Sequence, residues 1–493
     1  MHSSSFKYVA AIGLMAALAW TTSTQAAVEA YKVTTDRTVD ASSLETLVAD
    51  VIRLAGAKTN DEKAIALYDY LHLVLFHNAY PKEAAPQSTG PLKVINVYGW
   101  GLCGGQHTVM KAVFETAGWP VRYRGWSSPG HTTVEVQYDG KWHYFDVFLK
   151  SYFWMKDKST IAGQDDIVAD PSIVLAAKEE GRVPPHGFLC CGDTADGIVQ
   201  GCKNSKANGV SKHTDGWASV TGRDQGYAPL LSLPSGAALR LEWQGKEGQM
   251  VANGTKGVHT CGTKDFRYDA VLGPIFMHYG PRNFSNGTFT YAPDFAKPAD
   301  LADVILANAQ AQGGKLAASG AGSAIFKLPL SYPYASATVE AAFEGAGKLF
   351  VSVDGGKTWA EAAPGDVSAQ VRQKYNVWFK AEFGGALTKF AVNAIVEHNR
   401  GAQPFLYNGK NEITVSTKDN KLPEGTVLKV TYAFQETTAP GKLDRYDQPQ
   451  RVTYAEAKTV TETIEKLPHT FTLEAGGNLP PKMLYIERAV AAK

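Results

Sequence analysis

Apolar and polar positions follow two different periods along this chain. Residues 41–56, ASSLETLVADVIRLAG, and 59–78, TNDEKAIALYDYLHLVLFHN, repeat apolar side chains at helical spacing. In the second, Ile65, Tyr68, Leu71 and Leu75 fall on one stripe, and Thr59 or Asn60 can cap its start ahead of Asp61 and Glu62. A third helix is expected within GWGLCGGQHTVMKAVFETAGWP. Val109, Met110, Val113, Phe114 and Ala117 form its apolar face, Gly118 ends it and Pro120 prevents its resumption.

Beyond Pro120 the period changes to two. PVRYRGW, HTTVEVQY and KWHYFDVF are rich in β-branched and aromatic residues, and Asp139-Gly140 between the last two is a two-residue hairpin turn signal. From about residue 229 the chain is mostly alternating strands separated by Gly, Asn and Pro, at a spacing that predicts β-sandwich modules. LADVILANAQAQGG (301–314) reads as a short helix or helix-biased linker. Residues 440–493 read as an extended tail with a strand or two.

The first 26 residues stand apart. Lys7 precedes an apolar run from Tyr8 to Trp20, and Thr24-Gln25-Ala26 places small residues at a cleavage position. This predicts a cleaved signal peptide and a secreted or periplasmic protein with no membrane span, because later apolar runs are interrupted by charges. A net charge of +1 leaves no electrostatic footprint for nucleic acid.

An exported chain puts weight on the five cysteines. Cys190, Cys191, Cys202 and Cys261 lie in Gly-rich, loop-like sequence and are expected to form two disulfides, with the connectivity open. A zinc site drawing on His186, His213 or His259 is the rival. Cys103 is then left single, between glycines at a helix start, as if presented rather than packed.

The hairpin supplies its partners. A two-residue loop pairs positions that sum to 279, so Asp146 falls opposite Thr133 and diagonal to His131 on one face. Such diagonal neighbours are roughly 7–8 Å apart at the backbone. His143 has the opposite parity and points away. Cys103 as nucleophile, His131 as base and Asp146 as orienting carboxylate would make a catalytic triad. The Cys103 N–H is a candidate oxyanion donor, and Gly101, Gly104 and Gly105 leave room for a substrate carbonyl. Taken singly, each residue has a plainer reading: a buried cysteine, an edge-strand histidine, a strand-end aspartate. His107, one turn after Cys103, is a rival base or a structural neighbour.

These segments also carry a resemblance. Gly101 to Gly104, Gly118 to Arg122, His131 to Val136 and Trp142 to Asp146 resemble, in order, the core motifs of the transglutaminase-like superfamily, over residues 40–160. The resemblance implies a papain-like α+β fold and a Cys-His-Asp triad at Cys103, His131 and Asp146. Gly105-Gln106-His107 departs from the family's usual bulky or acidic residues. Trp100 and Tyr98 are candidates for the second oxyanion donor, and Trp100, Gly104 and Gly105 for substrate binding.

The expected organisation is therefore a signal peptide at 1–26 and a transglutaminase-like domain at 27–185. A Cys/Gly-rich loop region and β domain follow at 186–298, then a β-sandwich domain at 299–440 and an extended tail at 441–493. The expected function is cysteine-dependent amide chemistry on a protein or peptide, by hydrolysis or acyl transfer, without metal or cofactor. A non-catalytic scaffold that binds carbohydrate or another polymer through the sandwich, with Trp378 or Tyr407 as a sugar platform, is the alternative. An envelope assembly factor is a third reading. SVDGGKTW (352–359) matches a single Asp-box and reads as a structural turn.

Overall fold

A computed structural model describes residues 27–77, 90–128, 130–184, 195–207, 226–227, 229–246, 284–438, 453–477 and 479–493. The expected signal peptide, Cys190, Cys191, Cys261 and the histidines of the rival zinc site lie outside the described residues. No helix among the described residues is long and apolar enough to cross a membrane.

The first half is α+β. Strand β1 (Lys32–Thr35) precedes α1 (Leu44–Ala55) and α2 (Asn60–Val74). Ser43 caps α1 by accepting from the Thr46 N–H, and Gly56 closes it in the left-handed region at φ 63°. Thr59 and Glu62 form a reciprocal capping box on α2. Of the expected stripe, Tyr68, Leu71 and Leu75 are buried and Ile65 is half-buried; Ala64, Leu67 and Val74 complete the buried face. The short β2 (Phe76–His77), α3 (Pro91–Lys93) and β3 (Trp100–Gly101) then lead into α4 (Cys103–Thr116).

Next come β4 (Val121–Ser127), β5 (Gly130–Tyr138) and β6 (Lys141–Phe145). They are followed by α5 (Gln164–Ala169), α6 (Ser172–Leu175), α7 (Ala195–Lys203) and β7 (Ser205–Ala207). The four strands form an antiparallel sheet in the order β6-β5-β4-β7. One core joins α1, α2 and α4 to Val134, Val136 and Phe145 of the sheet. A second joins Trp126 and Tyr144 to Ile167, Ile173, Ile198 and Cys202 of α5, α6 and α7. The sheet is thus covered on both faces.

The helix α7 corrects the loop expected there. Ile198, Val199 and Cys202 form its buried stripe. Cys202 is a free thiol inside the second core, so the disulfide expected of it is absent. The glycines at 197 and 201 disguised a helix that tertiary packing stabilises. Gly201 has a positive role there, since a Cβ at this position would meet Trp126 Cε3 at 2.1 Å.

The second half is mainly antiparallel sheet. Among the described residues, a large sheet of 13 strands includes Ala237–Glu242 and Phe284–Tyr291, and extends to Tyr454–Ile464 and Lys482–Ala492. It therefore continues past both 299 and 440, the boundaries read from composition. Among the described residues the expected tail contributes two strands to it, Tyr454–Ile464 and Lys482–Ala492, while His469–Ala475 pairs with Gly409–Ser416 in a separate sheet. Lys482–Ala492 pairs with both Thr426–Thr437 and Ala237–Glu242. The helix expected at 301–314 is instead the strand Ile305–Gln312, which turns through Gly313-Gly314, both at positive φ, to pair with Lys315–Pro329. That two-residue turn and the pairing outweigh the helical bias of its alanines and glutamines.

The halves are joined by contacts distant in sequence. Strand β1 pairs with Gly409–Ser416. Asn399 Nδ2 donates to the carbonyls of Val74 and Ile95 at 2.8 and 2.6 Å. The Asp-box is a turn: Asp354 accepts from the Thr358 hydroxyl and backbone N–H, then from the Ser352 hydroxyl and the Lys357 N–H, which together hold its carboxyl below the usual range.

Candidate active site

The hairpin turn fixes the site. Asp139 and Gly140 both have positive φ, 49° and 77°, as a tight two-residue turn requires. Tyr138 faces Lys141, Val136 faces His143 and Val134 faces Phe145. Asp146 sits just past the end of β6, where it forms an isolated bridge with Ser151. On the shared face, His131 Nε2 lies 2.6 Å from Asp146 Oδ2. His143 occupies the other face, stacked on Tyr138 with ring centroids 3.7 Å apart and Nδ1 donating to the Ile161 carbonyl at 2.6 Å.

Asp146 is fully buried and densely partnered. Besides His131, it accepts from the Tyr144 hydroxyl at 3.2 Å and from the Leu149 backbone N–H at 2.7 Å. Its Oδ1 also lies 3.3 Å from Nε2 of His107. Burial alone would raise its pKa, but the two histidines hold the carboxyl far below its usual range. His131 shows the reciprocal effect. Burial favours its neutral form, while the Asp146 carboxylate and then Cys103 oppose this, and the balance pushes the imidazole up to about 10.

Cys103 is the first residue of α4. Leu102 before it offers no side-chain cap, and the first-turn N–H groups of an α-helix have no intrahelical acceptor. The thiol lies beside His131, and its proximity helps to raise the imidazole pKa. With Nε2 engaged by Asp146, Nδ1 is the ring nitrogen left for sulfur. The structure thus brings together all three residues expected to form a triad.

His107 takes the structural position. Its Nδ1 donates to the Cys103 carbonyl at 2.7 Å, one turn earlier on α4, and its Nε2 faces Asp146. It ties the start of the helix to the carboxylate and does not line the cavity above Cys103. His107, His131 and Asp146 have ligand atoms within 4.8 Å of one another, a spacing that could hold a metal ion. His131 Nε2 and Asp146 Oδ2 already hydrogen-bond each other, however, so an ion would have to displace that bond.

The remaining candidates sit as follows. Gly104 and Gly105 form the first turn of α4, Gly104 partly exposed and Gly105 buried. The backbone of Trp100 pairs in parallel with Phe76. Tyr98 is buried and its hydroxyl meets that of Tyr375 at 3.1 Å. Its side chain is therefore committed to the β-rich half, which removes it as an oxyanion donor. Trp378 and Tyr407 each carry a cation over the ring, Lys327 at 5.4 Å and Arg37 at 4.5 Å.

One expectation about Cys103 is corrected. It is not bare: only 8% of its surface is exposed. It opens on a cavity of about 90 Å³ lined also by Trp126, Gly130, His131, Phe148, Leu149, Gly197 and Ile198. Trp126 was legible in principle, because the β4–β5 register places it opposite His131. Ile198, from a helix more than 90 positions beyond Cys103 in a Gly-rich stretch, gave no local signal.

Residues 46–154 match the family model of the transglutaminase-like superfamily, a span that contains Cys103, His131 and Asp146. No curated protein matches the chain. A solved structure, the glycoside hydrolase domain of Endo-D from Streptococcus pneumoniae, matches at 12% identity over 58% of this chain and 47% of that chain, with a TM-score of 0.14. The match thus spans about half of that chain, and a likeness this slight bears on neither fold nor activity.

Proposed function

We propose that the chain, whose residues 46–154 form a transglutaminase-like core, is an exported cysteine enzyme that cleaves amide bonds through an acyl-enzyme. One observation carries this reading: a thiol at a helix start shares a cavity with a histidine that a buried carboxylate holds at 2.6 Å.

The chemistry follows from the geometry. The positive end of α4 and the His131 imidazolium both favour a Cys103 thiolate. The thiolate attacks the amide carbon, and the resulting oxyanion is met by N–H groups of the first helical turn. His131 gives its proton to the leaving amine as the C–N bond breaks, and an S-acyl intermediate remains. His131 then takes a proton from water, or from an incoming amine, as that nucleophile displaces sulfur. Asp146 keeps the ring oriented and stabilises its charged form throughout. With no activating calcium motif in the sequence, water is the acceptor this reading favours, on protein or peptide substrates outside the cytoplasm.

The test is to incubate the full-length mature chain with a peptide library and read the products by mass spectrometry. Cleaved peptides that vanish with Cys103→Ala support the reading. A wild-type chain that yields no product, and whose Cys103 labels with a thiol probe no faster than free cysteine, supports the scaffold alternative instead.

A further inference from the structure

We infer that α7 is the specificity wall of this site, with Ile198 restricting it to acyl groups that are small and uncharged next to the scissile carbonyl. The inference rests on the cysteine-enzyme reading for its biological meaning. Its physical content is access to the Cys103 sulfur, which can be measured whether or not the chain turns anything over.

The cavity above Cys103 measures about 90 Å³, well under the roughly 300–1,000 Å³ of pockets that hold drug-sized ligands. Its inner surface is Trp126, Leu149 and Ile198, all buried. Phe148 and Gly197 are half-buried, and Gly130 stands exposed at the rim. Among the described residues, the ionisable groups lining it are Cys103 and His131, with Asp146 behind the imidazole. A charged acyl side chain would lose its hydration there, and the described lining offers it no ionisable group beyond the Cys103–His131 pair already committed to each other. A bulky one has no volume to enter while Ile198 is in place.

The wall is anchored. Gly201, on the next turn of α7, lies so close to Trp126 that a side chain could not be accommodated. Val199 and Cys202 are buried on the same helix. Immediately after it, β7 pairs with β4, and the Arg124 guanidinium donates to Ser205 Oγ at 2.6 and 3.1 Å. Trp126, the side chain beneath α7, is itself held by an Nε1 hydrogen bond to Gln164 Oε1 at 3.1 Å. The sheet, α5 and α7 therefore fix the width of the cavity together.

The experiment measures second-order alkylation of Cys103 in the native full-length chain with iodoacetamide and with a bulky aryl iodoacetamide, each rate divided by that for free cysteine. The wild type should discriminate against the bulky reagent by about tenfold or more, the scale of one methylene too many in a tight pocket. Ile198→Ala should remove most of that discrimination and leave the small reagent's rate nearly unchanged. Ile198→Val should shift it less and in the same direction, which keeps the test available if the alanine variant folds poorly. Equal relative rates for both reagents in the wild type, or discrimination that is undiminished in a folded Ile198 variant, would overturn the inference. Neither result touches the triad: its failure would show instead as a Cys103 that reacts with iodoacetamide no faster than free cysteine.

Discussion

Nε2 of His131 lies 2.6 Å from Oδ2 of Asp146, although 15 residues separate them in the chain. The two-residue turn at Asp139-Gly140 produces that contact by setting the register of β5 against β6. With its other oxygen, Asp146 accepts from the Leu149 N–H at 2.7 Å, so the carboxylate is fixed from both sides.

Asp146→Asn should therefore keep the fold and lose activity. An amide can donate to the imidazole as well as accept from it, so the tautomer is no longer enforced. Loss of a triad orienter costs up to about 10⁴-fold in rate. Steady-state kinetics beside circular dichroism would check this, and retention of more than a tenth of the activity would count against the assigned role.

His143→Ala separates parity from proximity. His143 is buried on the opposite face and donates to the Ile161 carbonyl. Its loss leaves that buried carbonyl with one donor fewer, at a cost of about 1–3 kcal/mol. The expected outcome is a lower denaturation midpoint with kcat/KM within a few-fold of wild type. A large loss of kcat/KM at unchanged stability would contradict the register-based assignment.

The His131–Asp146 pair also predicts a pH dependence of stability. The folded His131 pKa is raised, to about 10, above an unfolded value near 6.5. Its contribution is fully present below roughly 6.5 and is lost as pH rises towards 10. The Asp146 pKa is lowered, so its contribution is present above an unfolded value near 3.9 and is lost as pH falls below that. The destabilisation by Asp146→Asn should thus be greatest between about pH 4 and 6.5 and shrink on the alkaline side. Urea titrations of both proteins across that range test the sign.

Cys202 is buried between α7 and the sheet, and burial, then the nearby Glu135 carboxylate, pushes its thiol well above the usual range. In the native chain it should resist alkylation that Cys103 undergoes readily, and react only on unfolding. Peptide mapping of the non-reduced protein should find it as a thiol; recovery in a disulfide would contradict the packing of α7.

How much of this was legible in the sequence depended on the range of the determining interaction. The helix cap at Thr59 and the turn at Asp139-Gly140 are local, and from the turn follow the register and the side chains that share a face. The Ile305–Gln312 strand was hidden because its composition favours a helix and only its partner strand decides otherwise. Cys202 was hidden because cysteine spacing says nothing about which side of a helix faces a core. The enclosure of Cys103 was hidden for the same reason, since Ile198 reaches the site only through tertiary packing.

The central claim, that Cys103 forms an acyl-enzyme with help from His131, is tested most directly by intact-protein mass spectrometry. The chain would be quenched in acid shortly after mixing with a small activated acyl donor such as an acetyl or alanyl thioester. The account predicts a single acyl adduct mapping to Cys103, which decays on longer incubation, is absent in Cys103→Ala and forms far more slowly in His131→Ala. An adduct on another residue, or one that forms on Cys103 equally fast without His131, would contradict it.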